Sequence, residues 1–461
     1  MTETVTSMTP AAIVAFFNQP RPSREERREQ GFQARRDTPL EALAEVPALS
    51  RRADPLELLS SQEASRLPQL IQLRHERMTT DPFAFLRGAA LIMADDLNRT
   101  PRSHLPVQLC GDAHVANFGM FASPERDLVF DLNDFDETNP GPFEWDVKRL
   151  VASVVVAAQA NDHKAKQVRK AALAASKAYR TTMTRLAEMN TLDVWFATVD
   201  FADLLTAVRN TALGKAAEKA GKKAEKRGRD SAVAKLTEVV DGRRRFLSDP
   251  PLLVPVRHED REDVVANLAE LYAQYLGTLP PDRIALLTRF SFVDIAHKVV
   301  GVGSVGTRAI VLLMTSGDGE PLILQIKEAQ QSVLERYTGA SRFTEAGRRV
   351  VTGQRVMQAT GDPFLGWSRS VGAESVDFYV RQLRDMKGSI ETVGLTPDAL
   401  NIYARICGSV LARAHARSGN ASLISGYLGD EDTFDEAISD FAIGYSDLNT
   451  HDYGALKATL S

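Results

Sequence analysis

Apolar positions recur at helical spacing over most of this chain. Trp145, Val147 and Leu150 begin a pattern with a period near 3.6 residues, which predicts a long helix that extends with breaks to about residue 189. The strongly charged stretch 215–245 interleaves lysines and glutamates with alanines, which is typical of a solvated helix or helical hairpin. Shorter patterns of the helical kind predict further helices within 54–98, 344–359, 404–417 and 433–446.

Two other regions have the short apolar runs and turn residues that are typical of β-strands. The runs 117–122 and 128–132 are joined by residues 123–127, SPERD, which form a turn by composition, so together they predict a hairpin. From about residue 295 the chain is rich in β-branched residues and glycine, which predicts a second and larger set of strands. These predicted strands are 295–302, 309–314, 322–326, 364–371 and 378–383.

The composition is that of an ordinary globular protein, because 44% of the 461 residues are hydrophobic and 25% are charged. The formal net charge of −4 argues against bulk nucleic-acid binding. Cys110 and Cys407 are too few for a disulfide framework or a zinc site of their own. The N-terminal segment lacks the basic start of a signal peptide, and no apolar run is long enough to span a membrane. We therefore expect a cytoplasmic protein.

Carboxylates, amides and one histidine are concentrated within residues 109–150, around the first predicted hairpin. Asp112 and Asn117 precede the hairpin, whereas Asp134 and Asp136 follow it. A hairpin with these residues at its entry and exit can bring acidic and amide oxygens to one point. Phosphoryl transfer needs one carboxylate to position the attacking hydroxyl, and an Asn and an Asp to hold magnesium. The alternative is that these side chains only cap turns, as Asp and Asn commonly do.

A glycine-rich segment, GVGSVG at 301–306, joins two of the predicted strands. A dinucleotide-binding fold needs such a segment between a strand and a helix. A glycine-rich turn between two strands can instead cover the phosphates of a nucleotide. We predict that Gly301, Gly303, Ser304 and Gly306 bind nucleotide, with a flexible hairpin turn as the alternative.

Lys327 lies at the end of the predicted strand 322–326, on the face opposite Ile326. A lysine in this place can reach the α- and β-phosphates if a helix supplies a carboxylate to hold it. Glu345, on the helix predicted at 344–359, is our first candidate for that carboxylate, and Glu335 is the second. A solvated lysine at a strand end is the alternative interpretation.

Three arginines cluster in the helical N-terminal region: Arg74, Arg77 and Arg87. Their side chains are long enough to reach the phosphates of a bound nucleotide. The alternative is that they pair with local carboxylates or lie in solvent.

The acidic region resembles a known group of enzymes. GDAHVANFG, which starts at residue 111, resembles the HGDxHxxN loop of aminoglycoside phosphotransferases and related kinase-like enzymes. NDFDETNPGPFEWDVKRL, which starts at residue 133, resembles their DFDxxxxGPxxxDLA segment. Nearly the whole chain is similar to a bacterial family, the domain of unknown function numbered 2252, including the stretches PFAFLRGAA and LARAHARSG.

The resemblance implies a role for each residue that matches a motif. Asp112 corresponds to the catalytic Asp that orients the acceptor hydroxyl and takes its proton. Asn117 and Asp134 correspond to the residues that bind magnesium, with Asp136 as a candidate second carboxylate ligand. The spacing from Asn117 favours Asp131 instead of Asp134, so both assignments stay open.

Three neighbouring residues also match or depart from the motifs. His114 corresponds to the histidine of the loop, and we expect it to be structural rather than a metal ligand. Asp146 corresponds to a helix Asp that braces the catalytic loop. Cys110 stands where the phosphotransferases have a histidine.

The order of these parts differs from that of ordinary kinases, in which the glycine loop and lysine precede the catalytic loop. Here they follow it, which a circular permutation explains, and such rewiring is accessible because chain termini often lie close together. The resemblance therefore implies an α+β, two-lobed protein-kinase-like fold, circularly permuted, with a large helical lobe and a small antiparallel β lobe. We expect an N-terminal helical extension at 1–105, the large lobe at 106–290, a small nucleotide-binding lobe at 291–385, and helical completion of the large lobe at 386–461.

The expected function is that of an ATP- and magnesium-dependent phosphotransferase acting on an unidentified small-molecule or protein hydroxyl. Transfer of AMP on the same fold is an alternative, in which Lys148, Arg149 or Arg308 assists a reversed nucleotide. A nucleotide-binding regulatory pseudokinase and a metal-dependent hydrolase are the others, although the chain has no HExxH motif. The expected partners are ATP and the acceptor, without nucleic acid or membrane.

Overall fold

Helices form most of the structure, because the periodic apolar positions give each long helix a face to bury. The computed structural model describes residues 9–226, 229–256, 261–299, 301, 303, 305–370, 375–383 and 386–460. Short 3₁₀ turns lie at Leu40–Ala44, Leu49–Arg51, Pro68–Leu70 and Val115–Asn117. The α-helices are α1 Pro10–Asn18, α2 Arg24–Ala34, α3 Pro55–Glu63, α4 Ile71–Met78, α5 Pro82–Gly88, α6 Ala90–Asn98, α7 Phe143–Ala160, α8 Ala165–Glu188, α9 Thr191–Phe196, α10 Phe201–Val208, α11 Gly214–Lys226, α12 Arg229–Leu236, α13 Arg261–Leu276, α14 Pro281–Leu287, α15 Glu335–Thr338, α16 Ala346–Met357, α17 Pro397–Ser418, α18 Ala421–Leu428 and α19 Thr433–Ala458.

The largest core lies among α7, α8, α17 and α19. Phe143 of α7 stacks on Tyr179 of α8 with ring centroids 5.9 Å apart, so aromatic packing joins these helices. The helical pattern predicted to extend to about residue 189 is divided between α7 and α8. The break falls at Asp162, whose φ of +56° lies in the left-handed region and cannot continue a helix.

The strands are short and antiparallel. The largest sheet has the order β11-β12-β10-β9-β8-β7, and α16 connects β10 to β11 along the chain. Its apolar residues pack in a second core that also includes residues of α13 and α14. The strands are β1 Pro106–Leu109, β2 Phe118–Ala122, β3 Leu128–Leu132, β4 Asn139–Pro142, β5 Thr237–Val240, β6 Arg243–Phe246, β7 Leu253–Pro255, β8 Phe290–Lys298, β9 Ala309–Ser316, β10 Pro321–Glu328, β11 Gly366–Arg369 and β12 Asp377–Gln382.

The charged stretch 215–245 is only partly helical, so the sequence prediction was wrong beyond residue 236. There the chain forms the β5–β6 hairpin. Asp241 and Gly242 make its two-residue turn with φ values of +50° and +72°, as a turn of this length requires. The Asp-Gly pair was the signal for a hairpin, and the surrounding lysines and arginines obscured it.

The hairpin predicted from residues 117–132 is present as β2 and β3, which pair from Phe118–Leu132 to Ala122–Leu128. The 3₁₀ turn Val115–Asn117 leads into β2, and a loop follows β3. β2 is also joined to the segment after the large sheet, because Met120 and Gly388 exchange two main-chain hydrogen bonds of 2.7 and 2.9 Å. The molecule is thus a mixed α+β structure, mainly helical, with small antiparallel sheets.

Candidate active site

The loop after β1 turns at Gly111, a position that requires glycine. Gly111 has φ = +84°, and a Cβ here would lie 2.2 Å from the main-chain oxygen of Glu137. A side chain would therefore meet both an unfavourable backbone conformation and a main-chain atom. Glycine lets the loop that carries Asp112 pack against the loop that carries Asp134 and Asp136.

Asp146, near the start of α7, holds the first of these loops. Its carboxylate accepts hydrogen bonds from the main-chain nitrogens of Cys110 at 2.6 Å and Gly111 at 3.0 Å. His415 Nε2 lies 3.2 Å from Asp146 Oδ2, and His415 Nδ1 lies 2.9 Å from the Tyr179 hydroxyl. A buried carboxylate on a rigid helix thereby fixes the loop. The part played by His415 was not predicted, although it is the histidine of the LARAHARSG stretch.

Cys110 makes a second connection between the two loops. Its thiol donates a hydrogen bond of 3.0 Å to the main-chain oxygen of Asp134. Burial, together with the nearby Asp146 carboxylate, raises the pKa of the Cys110 thiol well above its usual value. The sulfur therefore keeps its proton and remains a donor at neutral pH.

Asp112 lines a cavity of about 100 Å³, which we call the acidic cavity. The Arg149 atoms Nε and Nη2 lie 2.8 and 2.7 Å from Asp112 Oδ1, and Arg149 also donates to the main-chain oxygen of Leu86. Burial raises the pKa of Asp112, although Arg149 and Arg87 act to lower it. A fixed carboxylate with a raised pKa is a better proton acceptor than a free one.

Asn117 and Asp134 also line the acidic cavity. The Asn117 side-chain nitrogen donates to the main-chain oxygen of Asp112 at 2.8 Å, which leaves its Oδ1 as the atom able to bind a cation. Asp134 Oδ1 accepts a hydrogen bond of 3.3 Å from the main-chain nitrogen of Asp136. In the described part of the chain, the Asp134 carboxylate forms no ion pair.

The glycine-rich segment meets these acidic residues. Gly301 and Gly303 line the acidic cavity, although they follow its acidic loops by 164 or more positions in the sequence. Gly306 has φ = +94°, and its main-chain oxygen accepts a hydrogen bond of 2.8 Å from Leu67. Ser304, also predicted to bind nucleotide, lies outside the described residues.

Lys327 on β10 joins the large sheet to the second acidic loop. Its side chain is 2% exposed and forms an ion pair with Asp136 Oδ2. Tyr379 of β12 donates a hydrogen bond of 2.8 Å to Asp136 Oδ1. Burial alone would raise the pKa of Asp136 and lower that of Lys327, but their attraction prevails, so Asp136 is lowered and Lys327 raised.

The carboxylate that holds Lys327 is therefore Asp136, and neither glutamate chosen from the sequence occupies that place. Glu345 lies just before α16 and accepts a hydrogen bond of 3.0 Å from the Thr344 hydroxyl. Glu335 accepts from two main-chain nitrogens and lies 3.5 Å from Arg349. The helix directs Arg349 toward the loop instead, where it donates to the main-chain oxygen of Asp136. A helix carboxylate is not needed, because the acidic loop already supplies one.

Asp131, the alternative to Asp134, is a core residue. It is 5% exposed and forms a two-oxygen ion pair with Arg413 of α17. Because Asp131 pairs with Gly119 on the neighbouring strand, it lies within the hairpin and away from the loop that follows. Of the two carboxylates, only Asp134 lines the acidic cavity.

Burial lowers the pKa of two further residues named from the sequence. His114 Nε2 lies 3.7 Å from Asp112 Oδ2, and burial lowers the pKa of His114 well below its usual value, so it is neutral. Lys148 lies 4.3 Å from the centre of the Phe441 ring, away from the cavity. Burial lowers the pKa of Lys148 to about 8.

Several residues that line the acidic cavity were not predicted, and two of them are charged residues near its acidic loops, Glu137 and Arg66. Glu137 Oε2 accepts a hydrogen bond of 2.8 Å from the main-chain nitrogen of Val333, and burial raises the pKa of Glu137 to about 7. Glu137 directly follows the sequence NDFD at 133–136, and this position could have indicated that it belongs to the site. Arg66 reaches the cavity from the N-terminal region, and the local sequence contains no signal of that contact.

A larger cavity of about 320 Å³ adjoins the acidic cavity and shares Gly301 with it. Its lining includes Gln325 of the large sheet and three cations, Lys298, Arg381 and Lys387. Burial, with Arg381 nearby, lowers the pKa of Lys387 to about 7. The two cavities are adjacent at Gly301.

The oxygen donors of the acidic cavity are too few to hold magnesium by themselves, but they could hold it together with a phosphate ligand. Within the described ranges, no group of three or more His, Cys, Asp or Glu side chains is arranged to hold a metal ion. Magnesium is commonly held by one or two protein carboxylates together with substrate phosphates and water. Asn117 Oδ1 and the Asp134 carboxylate, which forms no ion pair within the described residues, are suited to that partial role.

The helices that the structure describes include none both long and apolar enough to cross a membrane.

Comparison with known proteins gives one result. Neither the curated proteins nor the solved structures include a significant match. A family described as an uncharacterised protein conserved in bacteria, the domain of unknown function 2252, matches residues 66–459. That match covers most of the chain, including every residue of the acidic cavity named above. The chain therefore belongs to the domain of unknown function 2252 family.

Proposed function

We propose that this protein is an ATP- and magnesium-dependent phosphotransferase with a circularly permuted kinase-like fold. The observation that carries the proposal is that Asp112, Asn117 and Asp134 line one cavity with Gly301 and Gly303. These are the residue types that phosphoryl transfer requires, and they come from two distant parts of the sequence. A purely structural cluster has no need to bring them together.

The order of elements supports the permuted arrangement. The glycine-rich segment lies between β8 and β9, Lys327 lies on β10, and α16 follows. This is the order of a kinase nucleotide-binding lobe, placed after the acidic loops instead of before them. The two main-chain hydrogen bonds between Met120 and Gly388 join the segment after β12 to the β2–β3 hairpin, as a connection between two lobes would.

In the proposed reaction Asp112 orients the acceptor hydroxyl and takes its proton. The hydroxyl oxygen forms a bond to the γ-phosphorus, the bond to the β,γ-bridging oxygen breaks, and ADP leaves. Asn117 and Asp134 would hold magnesium, which when bound neutralises the phosphate charge. Arg149 keeps Asp112 in position, and Asp146 keeps its loop in position. Catalysis would rest mainly on positioning and electrostatics.

The adjoining 320 Å³ cavity is the proposed site of the nucleoside. It shares Gly301 with the acidic cavity, so a nucleoside in it would lie next to phosphates in the acidic cavity. Arg381 and Lys387 on its wall favour one alternative, transfer of AMP. In a reversed nucleotide these cations would lie beside the phosphates, and the α-phosphorus would be attacked instead. The cytoplasm, where ATP is available, is the proposed location in both cases.

The first test is ligand-induced stabilisation. We expect ATP with magnesium to raise the midpoint of thermal unfolding of the wild type and to raise that of Asp134→Asn much less. Asp134 forms no ion pair in the described part of the chain, so the variant should remain folded. Asp127→Asn, in the exposed turn between β2 and β3, is the matched control and should behave like the wild type. No shift in the wild type would contradict the proposal.

The second test separates the reaction types. Incubation with ATP labelled at the γ- or the α-phosphate, together with a metabolite mixture, should transfer only the γ-label. Transfer of the α-label would indicate AMP transfer. Binding without transfer of either label would indicate a nucleotide-binding regulatory pseudokinase.

A further inference from the structure

Two arginines from the N-terminal helical region line the acidic cavity. Arg66 follows α3, and Arg87 lies on α5. Arg66 is 7% exposed and donates from Nη1 to the main-chain oxygen of Val305. In the ranges that the structure describes, Arg87 forms neither a hydrogen bond nor an ion pair. The Nε atoms of both arginines are buried without a hydrogen-bond partner.

Neighbouring buried arginines are paired differently. Arg74 lies 2.6 Å from Glu63, and Arg149 lies 2.7 Å from Asp112. A buried guanidinium without a counter-ion is unfavourable, because it loses water without gaining an opposite charge. Arg66 and Arg87 are therefore the cations of this cavity that an anionic ligand would stabilise.

In the part of the chain that the structure describes, no carboxylate of the cavity forms an ion pair with Arg66 or Arg87, although Glu137 and Asp134 attract them from farther away. Three of the five carboxylates that line the cavity already face cations of their own. Asp112 faces Arg149, Asp136 faces Lys327, and Glu328 faces Arg308, with the last pair 3.5 Å apart. Arg308, considered above for AMP transfer, is thus held by Glu328.

The N-terminal region also fixes the glycine-rich segment from the same side. Arg77 donates 2.6 Å to the main-chain oxygen of Gly301, and the main-chain nitrogen of Leu67 donates 2.8 Å to Gly306. A Cβ on Gly306 would lie 3.0 Å from the Arg66 side chain. Arg66 is therefore held in a fixed relation to the cavity, and a ligand would not have to order it.

We propose that Arg66 and Arg87 form a phosphate-binding subsite, contributed to the acidic cavity by the N-terminal helices. The planar guanidinium matches two oxygens of a phosphate and remains charged at any physiological pH. The phosphate belongs either to the end of the nucleotide or to a phosphorylated acceptor. The inference rests on the proposed function only for this choice of source, since binding of an inorganic phosphate needs no transfer reaction.

The test is a calorimetric titration of the protein with inorganic pyrophosphate in the presence of a chelator. We expect the wild type to bind and Arg87→Gln to bind at least about tenfold more weakly, because a charge-assisted contact is lost. Arg51→Gln, in the exposed turn Leu49–Arg51, should bind like the wild type. Arg87→Lys should recover part of the affinity through its charge. Equal binding by wild type and Arg87→Gln would overturn the proposal, as would no binding by the wild type.

Arg66→Gln is a second variant, judged only if its unfolding remains cooperative, because Arg66 also supports Val305. Repeating the titration without the chelator, in the presence of a saturating non-hydrolysable ATP analogue and magnesium, identifies the source. Loss of pyrophosphate binding supports a subsite for the nucleotide's terminal phosphate, whereas retained binding supports one for the acceptor. A wild type that binds pyrophosphate but not ATP would contradict the proposed function and leave this inference standing.

Discussion

Lys327 and Asp136 form a buried ion pair between residues 191 positions apart in the sequence. The pair connects β10 of the large sheet with the loop that follows the β2–β3 hairpin. Tyr379 donates to the same carboxylate from the neighbouring strand. The two halves of the acidic cavity are thus joined by a specific contact as well as by packing.

Lys327→Met should lower the free energy of unfolding by about 3 kcal/mol, because the largely buried Asp136 carboxylate then loses this ion pair. The double variant Lys327→Met with Asp136→Asn should lose less than the sum of the two single variants, since it leaves no unpaired charge. Urea unfolding of all three variants measures these differences.

The control for this prediction is an exposed pair on α11. Lys222 lies 2.6 Å from Glu218, and both side chains are more than half exposed. Lys222→Met should leave stability near that of the wild type, because solvent screens such pairs. A Lys327→Met variant as stable as Lys222→Met would show that the buried pair does not hold the two halves together.

Gly111→Ala should destabilise the protein by about 3 kcal/mol or more, because it combines backbone strain with a steric conflict. The added Cβ would lie 2.2 Å from the main-chain oxygen of Glu137. Gly319→Ala is the matched control, since Gly319 has nearly the same φ, +82°, and open space around its Cβ position. Its loss should be only about 1 kcal/mol. Equal losses in urea unfolding would mean that the contact with Glu137 is not a constraint.

Local features of the site could be predicted from the sequence, because short-range patterns determine them. The β2–β3 hairpin and the strands β9 and β10 follow from β-branched runs and turn residues. The cluster of Asp112, Asn117 and Asp134 follows from their places at the two ends of that hairpin.

Contacts between distant segments could not be predicted in the same way. Glu345 was chosen by its order along the chain, but the charge that Lys327 needs was already supplied by Asp136. Arg66 reaches the acidic cavity through the packing of α3 to α5, which no local pattern indicates. Burial also decides whether Asp131 is a core ion pair or a ligand, and burial depends on the whole fold.

Glu137→Gln should change how stability depends on pH. Burial raises the pKa of Glu137 to about 7 in the folded protein, whereas an unfolded glutamate titrates near about 4.3. The folded state therefore binds more protons between these values, so this group's contribution is complete below the lower pKa and is lost as pH rises through about 7. We expect the thermal midpoint of the wild type to fall, relative to Glu137→Gln, between pH 5 and pH 8.

The variant keeps an acceptor for the main-chain nitrogen of Val333, so loss of that hydrogen bond does not confuse the comparison. Glu125→Gln, in the exposed turn before β3, is the control and should follow the wild type. Parallel pH profiles for wild type and Glu137→Gln would show that Glu137 titrates normally in the folded protein.

Asp146→Asn should loosen the loop that carries Asp112. An asparagine offers one oxygen and one donating nitrogen, so the main-chain nitrogens of Cys110 and Gly111 can no longer both be satisfied. We expect a loss of about 1–3 kcal/mol in the free energy of unfolding and faster hydrogen exchange at these two amides. Asp294→Asn is the control, because Asp294 accepts a hydrogen bond of 2.9 Å from the main-chain nitrogen of Phe246 in a different core. That variant should destabilise the protein without a selective increase in exchange at the loop. If both variants accelerate exchange at Cys110 and Gly111 equally, Asp146 acts through global stability, and the loop is held by other contacts.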